Sequence, residues 1–348
     1  MMVTAELIAP REFRLAQTDI QEPGPGQVQV RPDAVGICGS DLHAYLEGGV
    51  GDSPCQFPMV LGHEPAGTVV KTGSGVTGWS PGDRAALEPA IYCYHCEFCR
   101  TGRYNVCTNL RFLSQPGDPG FFREFVNLPV SNLLPVPGNL PLEIATLFEP
   151  LAVALHSMKF VAPGAGETAA VFGAGPIGLL TIAALKIAGV GRIWAVEPVA
   201  HRRDLARHMG ADAAIDPAEI DAAREIQSDT AGRGVDCAID CATKQHTTNQ
   251  AIRAARHAGR VVITGIHSEV MVPFEVSPMR RKELAIFNVR RSNQESEAAL
   301  EMLRERGSWF APLVTHTRPL ESIADAFHIV ENYADGVGKM VITQRRSQ

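Results

Sequence analysis

Residues 168–182 read TAAVFGAGPIGLLTI, and this stretch decides the fold of the middle of the chain. An apolar run ends at Phe172, the pattern G-x-G-x-x-G follows at once, and a helical apolar pattern comes after it. The first glycine allows a tight turn, the second lets a pyrophosphate approach the backbone, and the third lets the helix pack closely on the strand. Unpaired N–H groups at the start of such a helix favour phosphate. We therefore predict a dinucleotide-binding loop, whose candidate residues are Gly173, Gly175, Pro176, Ile177 and Gly178.

An acidic residue, Glu197, follows the next apolar run, Ile193 to Val196, at about the 20-residue spacing expected for a ribose-binding carboxylate. Such a carboxylate accepts hydrogen bonds from the adenosine ribose and repels a 2′-phosphate, which predicts NAD rather than NADP. Arg202 and Arg203 favour NADP instead, because an arginine just beyond this position can bind the 2′-phosphate. We keep NAD as the prediction, with Glu197 and Arg202 as further candidate cofactor-binding residues.

The pattern of apolar and polar residues changes twice along the chain. Up to about residue 149 the chain is rich in Gly and Pro with short alternating runs, which is typical of an irregular antiparallel β domain. From residue 168, apolar runs alternate with amphipathic segments, such as a helix predicted over Asn249 to His257, and this predicts a parallel sheet. A last stretch, ending in a strand over Lys339 to Thr343, does not continue the alternation. The predicted domains are 1–153, 154–290 and a C-terminal return over 291–348.

Four cysteines lie close together in a loop and read C-x2-C-x2-C-x7-C; they are Cys93, Cys96, Cys99 and Cys107. Four thiolates form a closed tetrahedral shell with no place for water, which predicts a structural zinc site. An iron-sulfur centre is the main alternative, since similar spacings occur there. His95 lies inside the loop and is predicted to be exposed.

A second set of candidate ligands comes from distant loops: Cys38 in GICGSDLH, His63 and Glu64 in GHEPAG, and Glu149 in FEPL. Taken singly, each is ambiguous, because a lone cysteine is usually a small buried apolar residue and a glutamate before proline often starts a helix. Together, a thiolate, an imidazole and carboxylates make the mixed, incomplete set that leaves an open coordination position for substrate.

The order and spacing of these motifs, with Gly82-Asp-Arg84, resemble the zinc-containing medium-chain dehydrogenases over essentially the whole chain. The segment Glu149-Pro-Leu151 resembles the sorbitol and polyol dehydrogenase branch, whereas liver-type alcohol dehydrogenases carry a cysteine in that region. The resemblance implies an α/β protein with a GroES-like irregular β catalytic domain and a Rossmann doubly wound cofactor domain. It also implies zinc-dependent oxidation of an alcohol, with NAD as hydride acceptor.

The resemblance further implies roles for individual residues. Cys38 and His63 bind the catalytic zinc, while Glu64 and Glu149 ligate it directly, through water, or in exchange with substrate. Two zinc ions per chain are expected, one catalytic and one structural. In the same branch the segment before the return helix lies near nicotinamide and substrate, and the candidates there are Val289, Arg290 and Asn293. Relatives pair through the last strand of the cofactor sheet, so we expect a homodimer or homotetramer.

The mechanistic hypothesis is that the alcohol deprotonates at the zinc ion and that its proton leaves through Ser40, the cofactor ribose and His43. Such a relay contributes roughly 10²- to 10⁴-fold. Ser40 is alternatively an ordinary turn residue.

The expected substrate is a secondary alcohol with neighbouring hydroxyls, such as a polyol or a vicinal diol. L-Threonine 3-dehydrogenase and sugar dehydrogenase activity remain open alternatives. A zinc-free quinone reductase and a non-catalytic nucleotide-binding protein are more distant ones.

Composition narrows the class of protein. Among the 348 residues, 45% are hydrophobic, which indicates a globular chain, and a net charge of −6 with no long basic tract argues against nucleic acid as a partner. The N-terminal segment lacks the pattern of a secretory signal. Eight cysteines without such a signal are better explained by metal binding than by disulfides, so we expect a cytoplasmic protein that does not bind membranes.

Overall fold

The computed structural model describes residues 1–244 and 246–344, and its first segment is mostly strand. The strands are β1 (Met2–Ala9), β2 (Glu12–Thr18), β3 (Gln27–Gly36), β4 (Gly49–Val50), β5 (Ser53–Pro54), β6 (Glu64–Thr72), β7 (Arg84–Leu87), β8 (Ala90–Ile91), β9 (Arg111–Phe112), β10 (Val126–Pro129) and β11 (Leu133–Pro135). The helices are α1 (Gly39–Glu47), α2 (Glu97–Arg100), α3 (Leu142–Ala145) and α4 (Phe148–Val161).

The middle segment alternates strand and helix. Its strands are β12 (Thr168–Phe172), β13 (Arg192–Val196), β14 (Ala213–Ile215), β15 (Val235–Asp240), β16 (Ala255–Ile263) and β17 (Ala285–Asn288). Its helices are α5 (Pro176–Ile187), α6 (Ala200–His208), α7 (Ala222–Asp229), α8 (Thr247–Ala254) and α9 (Val276–Lys282). The C-terminal segment adds α10 (Ser296–Phe310), β18 (Val314–Pro319), α11 (Ile323–Glu331) and β19 (Lys339–Thr343).

The chain divides into two compact units, Met1–Glu149 with Ser296–Gln348, and Pro150–Glu295. We call them unit 1 and unit 2. The predicted boundaries, after residues 153 and 290, fall close to these divisions.

Unit 1 is built on a seven-stranded sheet in the order β11-β7-β6-β3-β19-β18, with β10 also paired to β3. The last strand, β19, runs antiparallel to β3 and parallel to β18, so the end of the chain completes the sheet that its beginning started. Fully buried aromatic side chains fill the core, among them Phe121, Phe122 and Phe327. The predicted terminal strand, Lys339 to Thr343, is confirmed.

Unit 2 contains a six-stranded sheet in the order β14-β13-β12-β15-β16-β17, in which every pair is parallel. This is the doubly wound order 3-2-1-4-5-6, so the predicted fold class is confirmed. Because helices cover parallel sheets, the central strands β12, β13 and β15 are buried along most of their length, and Trp194 and Phe172 are almost fully enclosed.

One helix prediction was wrong in its extent. The helix expected over Asn249 to His257 ends at Ala254, because Ala255 pairs with Val235 and begins strand β16.

The stretch Leu142–Val161 is apolar and long enough to cross a bilayer by composition, yet 72% of its apolar window is buried inside the protein. A buried core helix passes the same test of length and composition.

Candidate active site

The candidate catalytic ligands converge in unit 1. Cys38 follows β3 and caps the start of α1, while Glu64 begins β6 and is paired with Gly36 across the sheet. One ligand atom each from Cys38, His63 and Glu64 lies within 4.8 Å of the other two. The Oε1 atom of Glu64 is buried, and no hydrogen-bond donor in the described part of the chain reaches it. Sulfur, imidazole nitrogen and an unsatisfied carboxylate oxygen at this spacing fit a zinc ion.

Asp41, which the sequence analysis did not single out, holds His63 in place. Its Oδ1 atom lies 3.3 Å from His63 Nδ1 and accepts the Gly62 N–H, while Oδ2 accepts the Cys38 N–H. Burial alone would raise the pKa of Asp41, but His63 and these N–H groups hold it below its ordinary value. In turn, Asp41 and Cys38 outweigh burial and raise the pKa of His63 well above its ordinary value.

Helix α1 carries the two residues of the predicted proton relay. Ser40 Oγ lies 3.4 Å from His63 Nε2, which places the hydroxyl at the ligand cluster. His43 lies three positions further on, on the same helix face, and its Nδ1 is 3.1 Å from Glu47 Oε1. Glu47 is a neighbour that the sequence analysis missed.

A cleft adjoins Ser40. Its walls are partly apolar, with Ala44 and Leu61, and partly polar, with Ser114 and Gln115. Cys55, to which the sequence assigned no role, also lines the cleft, and burial raises the pKa of its thiol. The space that remains in the cleft is about 10 Å³, which is about enough for one water molecule.

Glu149 is buried near the start of α4. Burial raises the pKa of its carboxyl to about 8, with the charges of Glu64 and Glu88 adding to the rise and those of His63 and Lys339 opposing it. Glu149 thus belongs to the same charged environment, but it is not among the three residues whose ligand atoms lie within 4.8 Å of one another.

Lys339 also escaped the sequence analysis. Its ammonium forms an ion pair with Glu64 Oε2 and donates a hydrogen bond to the carbonyl of Ile37 at 2.9 Å. Both side chains of the pair are almost completely buried, at 1% and 0% exposure. A lysine at the start of an apolar strand gives no indication of this contact in the sequence.

The four-cysteine loop forms the second ligand cluster. Its sulfur atoms are 3.4 Å apart for Cys93 and Cys107, and 3.9 Å apart both for Cys93 with Cys99 and for Cys96 with Cys107. Zinc–sulfur bonds of about 2.3 Å in a tetrahedron require sulfur atoms about 3.8 Å apart, so the loop fits the ion. His95 is exposed, as predicted, and its ring contacts the Cys93 carbonyl.

The glycine loop of unit 2 has the expected geometry. Gly173 has a φ of +92°, and a Cβ atom on Gly178 would lie 1.8 Å from the Gly173 carbonyl oxygen. At Gly175 the nearest atom to such a Cβ is Arg202 Nη1 at 3.9 Å, which leaves the backbone open to a ligand. Pro176 is the first residue of α5, whose N-terminus carries the unpaired N–H groups.

Glu197 lies just beyond β13 and contacts this loop, because its Oε2 accepts the Ala174 N–H at 2.7 Å. The two arginines differ. Arg203 is engaged with the Glu197 carbonyl and with Asp216, whereas Arg202 is buried beside Gly175. Of the two, Arg202 is the one that lies beside the glycine loop.

The remaining candidates follow β17 in unit 2. Val289 donates its N–H to the Ile263 carbonyl at 2.9 Å, which extends the sheet pairing by one residue. Asn293 donates its N–H to the Glu295 carboxylate. The roles of Val289, Arg290 and Asn293 toward cofactor or substrate stay predictions.

Two family models match the chain. The alcohol dehydrogenase GroES-like domain matches residues 24–138, and the zinc-binding dehydrogenase model matches residues 176–305. Sorbitol dehydrogenase from Bacillus subtilis (strain 168) is 32% identical over 345 residues, covering 99% of this chain and 98% of that protein. The chain belongs to the zinc-binding medium-chain dehydrogenases. The predicted resemblance to their sorbitol dehydrogenase-like branch is thereby confirmed.

Other members of the family match this chain at comparable sequence identity and coverage. L-Threonine 3-dehydrogenase from Pyrococcus horikoshii is 34% identical, with 94% of each chain covered. The crystal structure of 2R,3R-butanediol dehydrogenase from Bacillus subtilis has a TM-score of 0.88 at 31% identity and covers 99% of this chain and 100% of that one. A zinc-binding dehydrogenase from Sinorhizobium meliloti 1021, solved bound to NADP, has a TM-score of 0.89 at 30% identity, with 99% of each chain covered.

Proposed function

We propose that this zinc-binding dehydrogenase oxidises a secondary alcohol group of a polyol or vicinal diol and transfers the hydride to NAD. The observation that carries the proposal is the cluster of Cys38, His63 and Glu64 beside the cleft at Ser40. A mixed, incomplete ligand set leaves a coordination position on the metal that an alcohol can occupy.

Cys38, His63 and Glu64 would hold the catalytic zinc, and Glu149 is a second carboxylate available to the same site. When bound, zinc supplies a Lewis acid that favours the deprotonated form of the alcohol. A second zinc, held by the four-cysteine loop, has a structural role.

The residues of α1 handle the proton. The Ser40 hydroxyl, at hydrogen-bonding distance from the ligand cluster, would accept the proton that the substrate hydroxyl loses and give up its own proton toward the cofactor ribose. His43, one helical turn further on and in contact with Glu47, passes the proton toward solvent. Asp41 orients the imidazole of His63 throughout.

NAD is the proposed cofactor because an acidic residue just after the second strand of such a sheet, here Glu197 after β13, disfavours a 2′-phosphate. The relative from Sinorhizobium meliloti binds NADP, and Arg202 supplies a cation at the loop. The ratio of kcat/KM for NAD to that for NADP tests the proposal, and a ratio below one contradicts it.

The decisive experiment is a spectrophotometric screen of polyols, vicinal diols, sugars and L-threonine with NAD and NADP, with zinc quantified on the same sample. We expect NADH formation with a polyol or diol and about two zinc ions per chain. Preference for threonine would establish the alternative substrate class, and activity without zinc would overturn the mechanism.

We also propose that the protein assembles as a homodimer or homotetramer through β17, the edge strand of the unit 2 sheet. An edge strand presents unpaired N–H and C=O groups that a second copy can pair. Light scattering that gives the mass of a monomer would contradict this.

A further inference from the structure

Three strands of unit 1 bring a buried lysine to the candidate metal site. Gly36, on the central strand β3, pairs with Glu64 on β6 and with Val341 on β19. Lys339, at the start of β19, therefore reaches Glu64 across Gly36. A Cβ atom at Gly36 would lie 2.1 Å from Glu64 Oε2 and 2.8 Å from Lys339 Cε. Glycine at this position is thus a steric condition for the contact between the two side chains.

The two oxygens of Glu64 are in different situations. Oε2 is ion-paired with Lys339, whereas no donor among the described residues reaches Oε1. Lys339 is held in turn by the carbonyl of Ile37, the residue before Cys38. The lysine thus contacts the backbone next to one candidate ligand and the side chain of another.

We propose that Lys339 is a positioning residue that competes with the catalytic zinc for the Glu64 carboxylate. The inference rests on the proposed zinc site but not on the identity of the substrate. By holding Oε2, the ammonium limits how closely Glu64 binds the metal, and the coordination position that a substrate must occupy stays accessible. The fixed cation also offsets the negative charge that Glu64 brings to a buried region.

The test measures the rate at which zinc is transferred from the protein to a chromogenic chelator. The kinetic phase that is missing in Cys38→Ser is assigned to zinc release from the catalytic site. In Lys339→Met we expect zinc release from that site to slow by about tenfold or more, since Glu64 is freed to bind the ion. In Lys339→Met/Glu64→Gln the release rate should return to that of Glu64→Gln alone, because a double-mutant cycle isolates the coupling. Unchanged or faster zinc release in Lys339→Met overturns the proposal. Zinc release that is slower in the double variant than in Glu64→Gln alone also overturns it.

Lys339→Met leaves Glu64 buried without a cation, so the variant is first checked for a cooperative unfolding transition. If it does not fold, Lys339→Gln replaces it, since glutamine keeps an N–H donor without the charge. Slower zinc release in Lys339→Gln supports the proposal, and a rate equal to that of the unmodified protein overturns it. Because zinc release is measured without substrate, failure of the polyol assay and failure of this inference remain distinguishable.

Discussion

The two ligand clusters of unit 1 are built in opposite ways. The four-cysteine loop takes all its ligands from one short segment, Cys93 to Cys107, and its sulfur atoms surround a single point. The second cluster takes Cys38, His63 and Glu64 from different elements, and ionised neighbours such as Asp41 and Lys339 are buried against it.

This difference leads us to expect different roles for the two clusters. A loop that supplies a closed set of four thiols needs no further support and leaves nothing for a substrate to bind. An incomplete set of three different ligands needs outer groups to fix their orientation, because each ligand alone is free to turn away. The first cluster is expected to govern stability and the second to govern activity.

The largest effect is expected from Cys38→Ser. Losing this thiolate should remove the catalytic zinc and lower kcat/KM roughly 10³-fold or more, since a Lewis acid contributes several kcal/mol and each 1.36 kcal/mol is tenfold. Zinc content and steady-state kinetics measure this, with the unfolding midpoint expected to change little. Full activity with one zinc per chain would break the comparison.

Ser40→Ala should come next. Removing the hydroxyl beside His63 should lower kcat by roughly 10²-fold, within the range for acid–base assistance, while both zinc ions stay bound. Ser53→Ala, at a serine that lines the same cleft, serves as the control and should be near normal. Equal turnover in the two variants would eliminate Ser40 from proton transfer.

A smaller loss is expected from Asp41→Asn, which keeps the shape but removes the charge that faces His63. Partners behind a metal-binding histidine are typically worth about 10–100-fold in metal affinity or activity. Competition with a chelator of known affinity measures this, and Asp83→Asn in an exposed turn is the control. An unchanged affinity would mean that the imidazole is oriented by packing alone.

The smallest effect on turnover is expected from Cys96→Ser, the counterpart of Cys38→Ser in the other cluster. We expect loss of one zinc and a fall in the unfolding midpoint of roughly 5 °C or more, at about 2–4 °C per kcal/mol for a domain of this size. Turnover measured well below that midpoint should stay near normal. A stable but inactive variant would show that the two clusters are not separated in function.

Sequence alone was sufficient where the chemistry is local. The glycine loop at Gly173 and the four-cysteine loop are contiguous, and their spacing constrains both backbone and ligand geometry. The fold class followed from the strand–glycine–helix pattern and the alternation after it, and the structure confirms it.

Contacts between distant segments could not be predicted from the sequence. Asp41 was hidden because an acidic residue in the first turn of a helix is also an ordinary capping residue. Lys339 was hidden because its partnership with Glu64 depends on the register of β3 with two other strands. No local pattern encodes such a register, since it is set by the packing of the whole sheet.

The position of β19 has a consequence for synthesis. Residues 150–295 form unit 2 as one uninterrupted segment, and that unit is complete while the C-terminal strands are still being translated. The four-cysteine loop is available even earlier. Glu64, in contrast, meets its buried cation only when β19, which is translated after all of unit 2, pairs with β3. A nascent chain stalled short of residue 339 should therefore lack the Lys339 contact to the candidate metal centre.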